Sequence, residues 1–88
     1  MTYEELKAKA IEEELDISFD TSYGGYNSRN IYRESNGYFC VCYHDERGKC
    51  VAEYPGLPEE EACEKIYKNA RAKKVLEKYY AEVAGKTV

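Results

Sequence analysis

The apolar positions of this chain change period twice. Over residues 2–15, Tyr3, Leu6, Ala10 and Ile11 recur at helical spacing among charged residues, which predicts an amphipathic helix. Thr2 and Glu5 have capping-box spacing, and Glu4 and Glu5 complement the positive end of the helix dipole. From Asp16 the period falls to two. Ile17, Phe19 and Thr21 alternate with Asp16, Ser18 and Asp20, as a half-buried strand requires. Gly24-Gly25 and Asn36-Gly37 read as two-residue hairpin turns, and Asp45-Glu46-Arg47-Gly48 as a type I turn closed by a left-handed glycine. Further strands are predicted at 27–34, 38–44 and 49–54, the last ended by Pro55-Gly56. Pro58 suits a first helical position. Beyond it a helical stripe runs through Ala62, Ile66, Ala70, Leu76, Tyr80 and Val83 to a stop at Gly85.

The expected fold is α+β and occupies residues 1–88 as one domain. An N-terminal helix leads into a four-stranded antiparallel meander, a long C-terminal helix follows, and both helices lie on one sheet face. Two-residue turns fix the register. Asp20 then faces Arg29, Asp16 faces Arg33, Tyr32 faces Val41, and Arg29 faces His44. The last turn sets His44 opposite Cys50 and Val41 opposite Glu53. One face holds Ile17, Phe19, Tyr32, Phe39, Val41, Tyr43 and Val51 as core. The other holds Asp16, Asp20, Arg29, Arg33, Cys40, Cys42, His44 and Tyr54. A helix over 58–83 would be roughly 39 Å long, against roughly 25 Å for the strands. Its last turns, Val75 to Val83, therefore overhang the sheet, bend back near Asn69–Lys74, or pack on a second copy. Leu76, Tyr79, Tyr80 and Val83 are the candidate self-association residues, with a homodimer as one outcome.

Composition narrows the function. The 88 residues contain no apolar run of the ~18–20 residues a membrane span needs, and the N-terminus has no leader pattern, so a cytoplasmic protein without membrane contact is expected. Four cysteines include the series Cys40, Cys42, His44 and Cys50, spaced C-x-C-x-H-x5-C. Alternate side chains of a strand splay roughly 6.5–7 Å apart, whereas zinc knuckles use C-x2–4-C spacing. Reduced packing residues are expected there, with a structural metal and a disulfide such as Cys42–Cys50 as the alternatives, and no metal or cofactor is assigned. His44 is the one histidine, and neither Cys42 nor Cys50 lies in a nucleophile motif. Glycine patterns that cradle phosphate are missing too, so no enzyme activity is expected. Ten tyrosines without a tryptophan, and a charge split, point to protein binding. Residues 1–46 carry ten acids and four bases; residues 47–88 carry seven acids and nine bases. The expected partner surface combines Tyr23 and Tyr26, Arg29 and Arg33, and the acidic corner Glu12, Glu13 and Glu14.

Two resemblances follow. The run from Asn36 to Gly48, then a strand and the Pro58-Glu59-Glu60-Glu61-Ala62 helix start, resembles small bacterial immunity proteins of polymorphic toxin systems. That resemblance implies stoichiometric inhibition of a toxin; inhibitors of host defence enzymes share the same size, acidity and tyrosine richness. The element order, and the segment Ala70 to Leu76, resemble the double-stranded-RNA-binding domain. Glu59, Glu60 and Glu61 stand where that family has its phosphate-gripping lysines, which disfavours it. Nucleic-acid binding through the basic C-terminal helix is the alternative function.

Overall fold

The computed structural model describes residues 1–86. In order, the elements are α1 (Tyr3–Glu12), β1 (Ser18–Phe19), β2 (Arg29–Arg33), β3 (Phe39–His44), β4 (Cys50–Leu57) and α2 (Glu59–Lys86). The α+β class, the two helices and the four-strand sheet agree with the sequence pattern, and the strand order is β1-β2-β3-β4. Thr2 Oγ1 accepts the Glu5 N–H at 3.1 Å, and Glu5 Oε1 accepts the Thr2 N–H at 3.0 Å, closing the capping box. Those bonds hold the Glu5 carboxyl below its ordinary range. α1 stops at Glu12. Glu14 then turns left-handed, at φ 54°, ahead of buried Leu15.

The meander is corrected at its first pair. β1 and β2 run parallel, with Ser18 opposite Asn30 and Phe19 opposite Ile31. A type I′ hairpin at Gly24-Gly25 needs positive φ at both glycines; Gly25 alone of the two has it, at 106°. The chain instead leaves Phe19 through left-handed Asp20 (φ 61°), loops over residues 20–28 and re-enters alongside β1. A Cβ on Gly24 would lie 2.1 Å from Ser18 Oγ and 2.6 Å from Asn30 Nδ2, so this loop approaches the strands too closely for a side chain. The expected Asp20–Arg29 and Asp16–Arg33 pairs are absent. Asp20 accepts from the Tyr3 hydroxyl at 2.8 Å and pairs with Lys7 at 3.4 Å; Asp16 pairs with Lys73 at 3.2 Å.

The second turn has three loop residues, Ser35 to Gly37. Glu34 N–H bonds Tyr38 O at 2.7 Å, and Gly37, at φ 86°, bonds Glu34 O at 3.0 Å. One extra loop residue slips the register by one. Ile31 faces Val41, Tyr32 faces Cys40, and Arg29 faces Tyr43 where His44 was expected. Tyr32 thus leaves the core face, and Arg29 and Arg33 join it. The third turn is as expected. Asp45 Oδ1 accepts the N–H of Arg47 at 2.9 Å and of Lys49 at 2.8 Å, and His44 faces Cys50.

β4 then carries two irregularities, one at Val51 and one at Pro55-Gly56. The first leaves Val51 60% exposed, off the core, and sets Tyr54 opposite Val41 in place of Glu53. Tyr54 accordingly moves to the helix face, where Lys65 Nζ lies 4.0 Å from its ring centroid.

Both helices pack on the face of Ile31, Phe39 and Val41, with Tyr3, Leu6, Ala62, Cys63 and Ile66 completing the core. They run side by side from their N-termini. Glu59 Oε2 accepts the Tyr3 N–H at 2.7 Å, which satisfies one free donor of α1's first turn. At α1's other end, Glu13 accepts from the Tyr67 hydroxyl at 2.5 Å and pairs with Arg71 at 3.3 Å. α1 has 10 residues and α2 has 28, so α2 outruns its neighbours. It neither folds back over the sheet near residues 69–74 nor stops at Gly85. Leu76, Tyr80 and Val83, read as an extension of the core stripe, are exposed.

Candidate functional site

The residues expected to bind a partner are spread over several surfaces. Tyr23 and Tyr26 come together beside the β3–β4 turn. Tyr23 meets the His44 ring edge-on at 4.9 Å, and both tyrosines crowd Gly48, where a Cβ would lie 2.7 Å from the Tyr23 hydroxyl. Arg29 points to the helix layer, where its Nε donates to Asn69 Oδ1. Burial holds its pKa below the ordinary arginine value. Arg33, at the other end of β2, stacks 5.2 Å from the Phe39 ring centroid. Glu12 and Glu14 are exposed, but Glu13 ties α1 to α2, and its carbonyl also accepts from Lys74. Arg29 and Glu13 therefore act first as internal ties.

A different surface lies open on α2. Val75 is 67% exposed, Leu76 53%, Tyr79 58%, Tyr80 64% and Val83 41%. At 100° per residue Val75, Leu76, Tyr79 and Val83 are centred about a third of a turn away from the stripe of Ala62, Ile66 and Ala70, whereas Tyr80 lies at the azimuth of Ala62. Ala72, Leu76, Tyr79 and Val83 follow one another at 4-3-4 spacing, the seam of a helix that packs against another helix. Val75 and Tyr80 flank that seam. Residues 68–83 carry five bases and two acids. At the root of the overhang, Leu15, Arg71, Lys74, Val75 and Lys78 line a shallow groove between the end of α1 and α2.

The sheet's second face carries the titratable residues. His44 Nδ1 lies 2.7 Å from Asn30 Oδ1 and 3.4 Å from Ser28 Oγ. A catalytic relay needs the two ring nitrogens on different partners, and here one nitrogen serves both, so the trio ties the loop 20–28 to the sheet. Ser28 Oγ donates onward to Gly25 O at 2.8 Å. Asn30 Nδ2 is buried with no hydrogen-bond partner among the described residues.

The same face corrects the expected splay of the cysteines. Cys40 Sγ and Cys42 Sγ are 3.7 Å apart, well inside the spacing expected of alternate side chains on one strand. Glu53 Oε1 lies 3.8 Å from Cys40 Sγ, and β4 sets Glu53 opposite Cys42. The Tyr32 hydroxyl bonds Cys40, which raises the Tyr32 pKa above its ordinary value. Burial, then the neighbouring Cys40, pushes the Cys42 thiol up to about 12. Glu53 and Tyr32 are members that sequence reasoning missed; the signal was the register, which the three-residue turn and the Val51 irregularity displaced.

Among the described residues no helix is long and apolar enough to cross a membrane. Comparison with known protein families, with curated proteins and with solved structures finds no match.

Proposed function

We propose that this chain is a non-catalytic protein-binding module of the immunity or defence-inhibitor kind, and that it docks its partner on the overhanging turns of α2. The observation that carries the reading is the stripe of Val75, Leu76, Tyr79, Tyr80 and Val83, exposed at 41–67%. Apolar area left in water costs ~25 cal/mol per Å², and contiguous apolar patches mark interfaces. Tyrosine suits such a patch because it buries a large ring while its hydroxyl stays hydrogen-bonded.

The occupant that fits is an amphipathic helix of another protein whose apolar stripe is flanked by acids. Lys68 and Lys78, which form no ion pair among the described residues, attract such flanks. Two copies of α2 paired in register would set these cations against each other. The resemblance to immunity proteins supports a toxin-like partner.

The test titrates the full chain into a fluorescent helical peptide with leucines at i, i+3, i+4 and i+7 and flanking glutamates. A duplex RNA runs in parallel, and light scattering reports mass. Saturable one-to-one peptide binding is expected, weakened at least tenfold by the double change Leu76→Asp, Tyr80→Asp with thermal stability unchanged. Peptide binding that ignores this double change overturns the proposal. So does preferred RNA binding that falls steeply with salt. A homodimer dissociated by the same double change assigns the stripe to a second copy and overturns it too.

A further inference from the structure

We infer that Cys40, Cys42 and Glu53 form a binding site for one thiophilic divalent cation, with zinc the ion that fits. The three ligand atoms all lie within 4.8 Å of one another. Two thiolates bound at about 2.3 Å to a tetrahedral zinc stand about 3.8 Å apart, and a thiolate and a carboxylate oxygen about 3.5 Å apart. The observed 3.7 Å between the sulfurs and 3.8 Å from Cys40 Sγ to Glu53 Oε1 are close to both spacings. The third pair, Cys42 Sγ and the Glu53 carboxylate, lies within 4.8 Å, so an ion would draw the exposed Glu53 side chain inward.

The donor set selects the ion. Two sulfurs with one carboxylate oxygen suit zinc; magnesium and calcium take oxygen ligands and a higher coordination number. The setting favours a cation as well. Both cysteines are buried, Glu53 is exposed and offers the route in, and Glu53 has no ion-pair partner among the described residues. The fourth position falls to water or to the hydroxyl of Tyr32, the residue opposite Cys40 on β2.

A disulfide is the competing use of two close sulfurs. Residues i and i+2 of a strand have Cα atoms roughly 6.5–7 Å apart, at or beyond the limit of disulfide geometry. Cys50 stands outside the site, since its thiol bonds Ala52 O at 3.5 Å.

The test uses the reduced full chain, stripped of metal by a chelator and titrated with Co²⁺ as a spectroscopic probe and with Zn²⁺ in competition. One ion per chain is expected, with a near-ultraviolet thiolate-to-cobalt charge-transfer band of two-sulfur intensity that zinc abolishes. Cys40→Ser and Cys42→Ser should each remove the band. Glu53→Gln should keep it while weakening affinity about tenfold or more, and Cys50→Ser should change neither. Absence of a charge-transfer band at stoichiometric cobalt overturns the inference, as does one ion shared by two chains. So does an equal loss in Cys50→Ser. If the serine variants fail to fold, Glu53→Gln at the exposed position decides, and unchanged affinity there overturns the site.

Discussion

Removing one oxygen from Tyr3 tests the joint between α1, β1 and β2. The Tyr3 hydroxyl lies 2.8 Å from Asp20 Oδ1 and 3.2 Å from Ile31 O, and it accepts the Asp20 N–H at 3.1 Å. Tyr3→Phe keeps the ring, its edge contact with Phe19 at 5.6 Å and its tilted contact with Phe39 at 5.0 Å. The Asp20 N–H and Ile31 O also keep each other at 2.9 Å, so neither is orphaned. The loss is then one or two internal hydrogen bonds, about 1–2 kcal/mol. For a domain of this size Tm should fall by roughly 5–15 °C.

The pH dependence of that loss has two sides. The bond from Tyr3, then Lys7, holds the Asp20 carboxyl below its ordinary range. A carboxyl lowered in the folded state adds stability above its unfolded pKa of about 3.9, and that stability fades as pH falls through the folded value. Burial, then the Asp20 bond, raises the Tyr3 hydroxyl. A raised phenol adds stability below about pH 10 that is lost as pH climbs further. The gap between the parent chain and Tyr3→Phe should therefore be widest from about pH 5 to 9 and close on both sides. Urea melts followed by circular dichroism across that range measure it. A gap under about 0.3 kcal/mol at pH 7, or one that stays flat to pH 3, refutes the reasoning.

Ile66→Ala should cost about 2–5 kcal/mol in a urea melt, because Ile66 is fully buried. Leu76→Ala, the same kind of truncation further along α2, should stay within about 0.5 kcal/mol of the parent. Gly24→Ala should destabilise by about 1–3 kcal/mol through overpacking against Ser18. Gly25→Ala, at φ 106° in open space, should cost only about 1 kcal/mol of backbone strain, so calorimetry should rank the two in that order. Lys73→Ala removes contacts to Asp16 at 3.2 Å and to Asn27 O at 3.0 Å, and hydrogen exchange over residues 20–28 should speed up while β3 stays protected.

Local chemistry made much of this fold legible. The Thr2/Glu5 box, the apolar run of β3, the Asp45–Gly48 turn and the buried series Ala62, Ile66 and Ala70 all follow from spacing and residue type. What failed was counting across turns. Asn36-Gly37 supports a two-residue loop or the end of a three-residue loop, and that one residue decides which face Tyr32, Arg29 and Arg33 take. Gly24-Gly25 reads as a turn, yet Gly24 serves a close approach to Ser18, which only the assembled sheet reveals. Length arithmetic left Leu76, Tyr79, Tyr80 and Val83 to overhang the sheet, bend back over it or pack on a second copy, and the unbroken α2 excludes the bend. The meeting of Glu53 with Cys40 and Cys42 was not legible, because it depends on a register interrupted within β4.

Those interruptions also govern how the molecule behaves in a crowd. β4 is an outer strand of 8 residues, mostly exposed, and an outer strand of that length is a template on which other sheets can polymerise. Its breaks at Val51 and Pro55-Gly56 leave only a short regular stretch between them. Pro55 withholds one donor as well. A straight incoming strand would lose step with the backbone groups after a few residues, so fibril growth has no continuous edge to copy. Association is thereby left to side chains, which discriminate by shape and charge, and withheld from the main chain, which would accept any extended peptide.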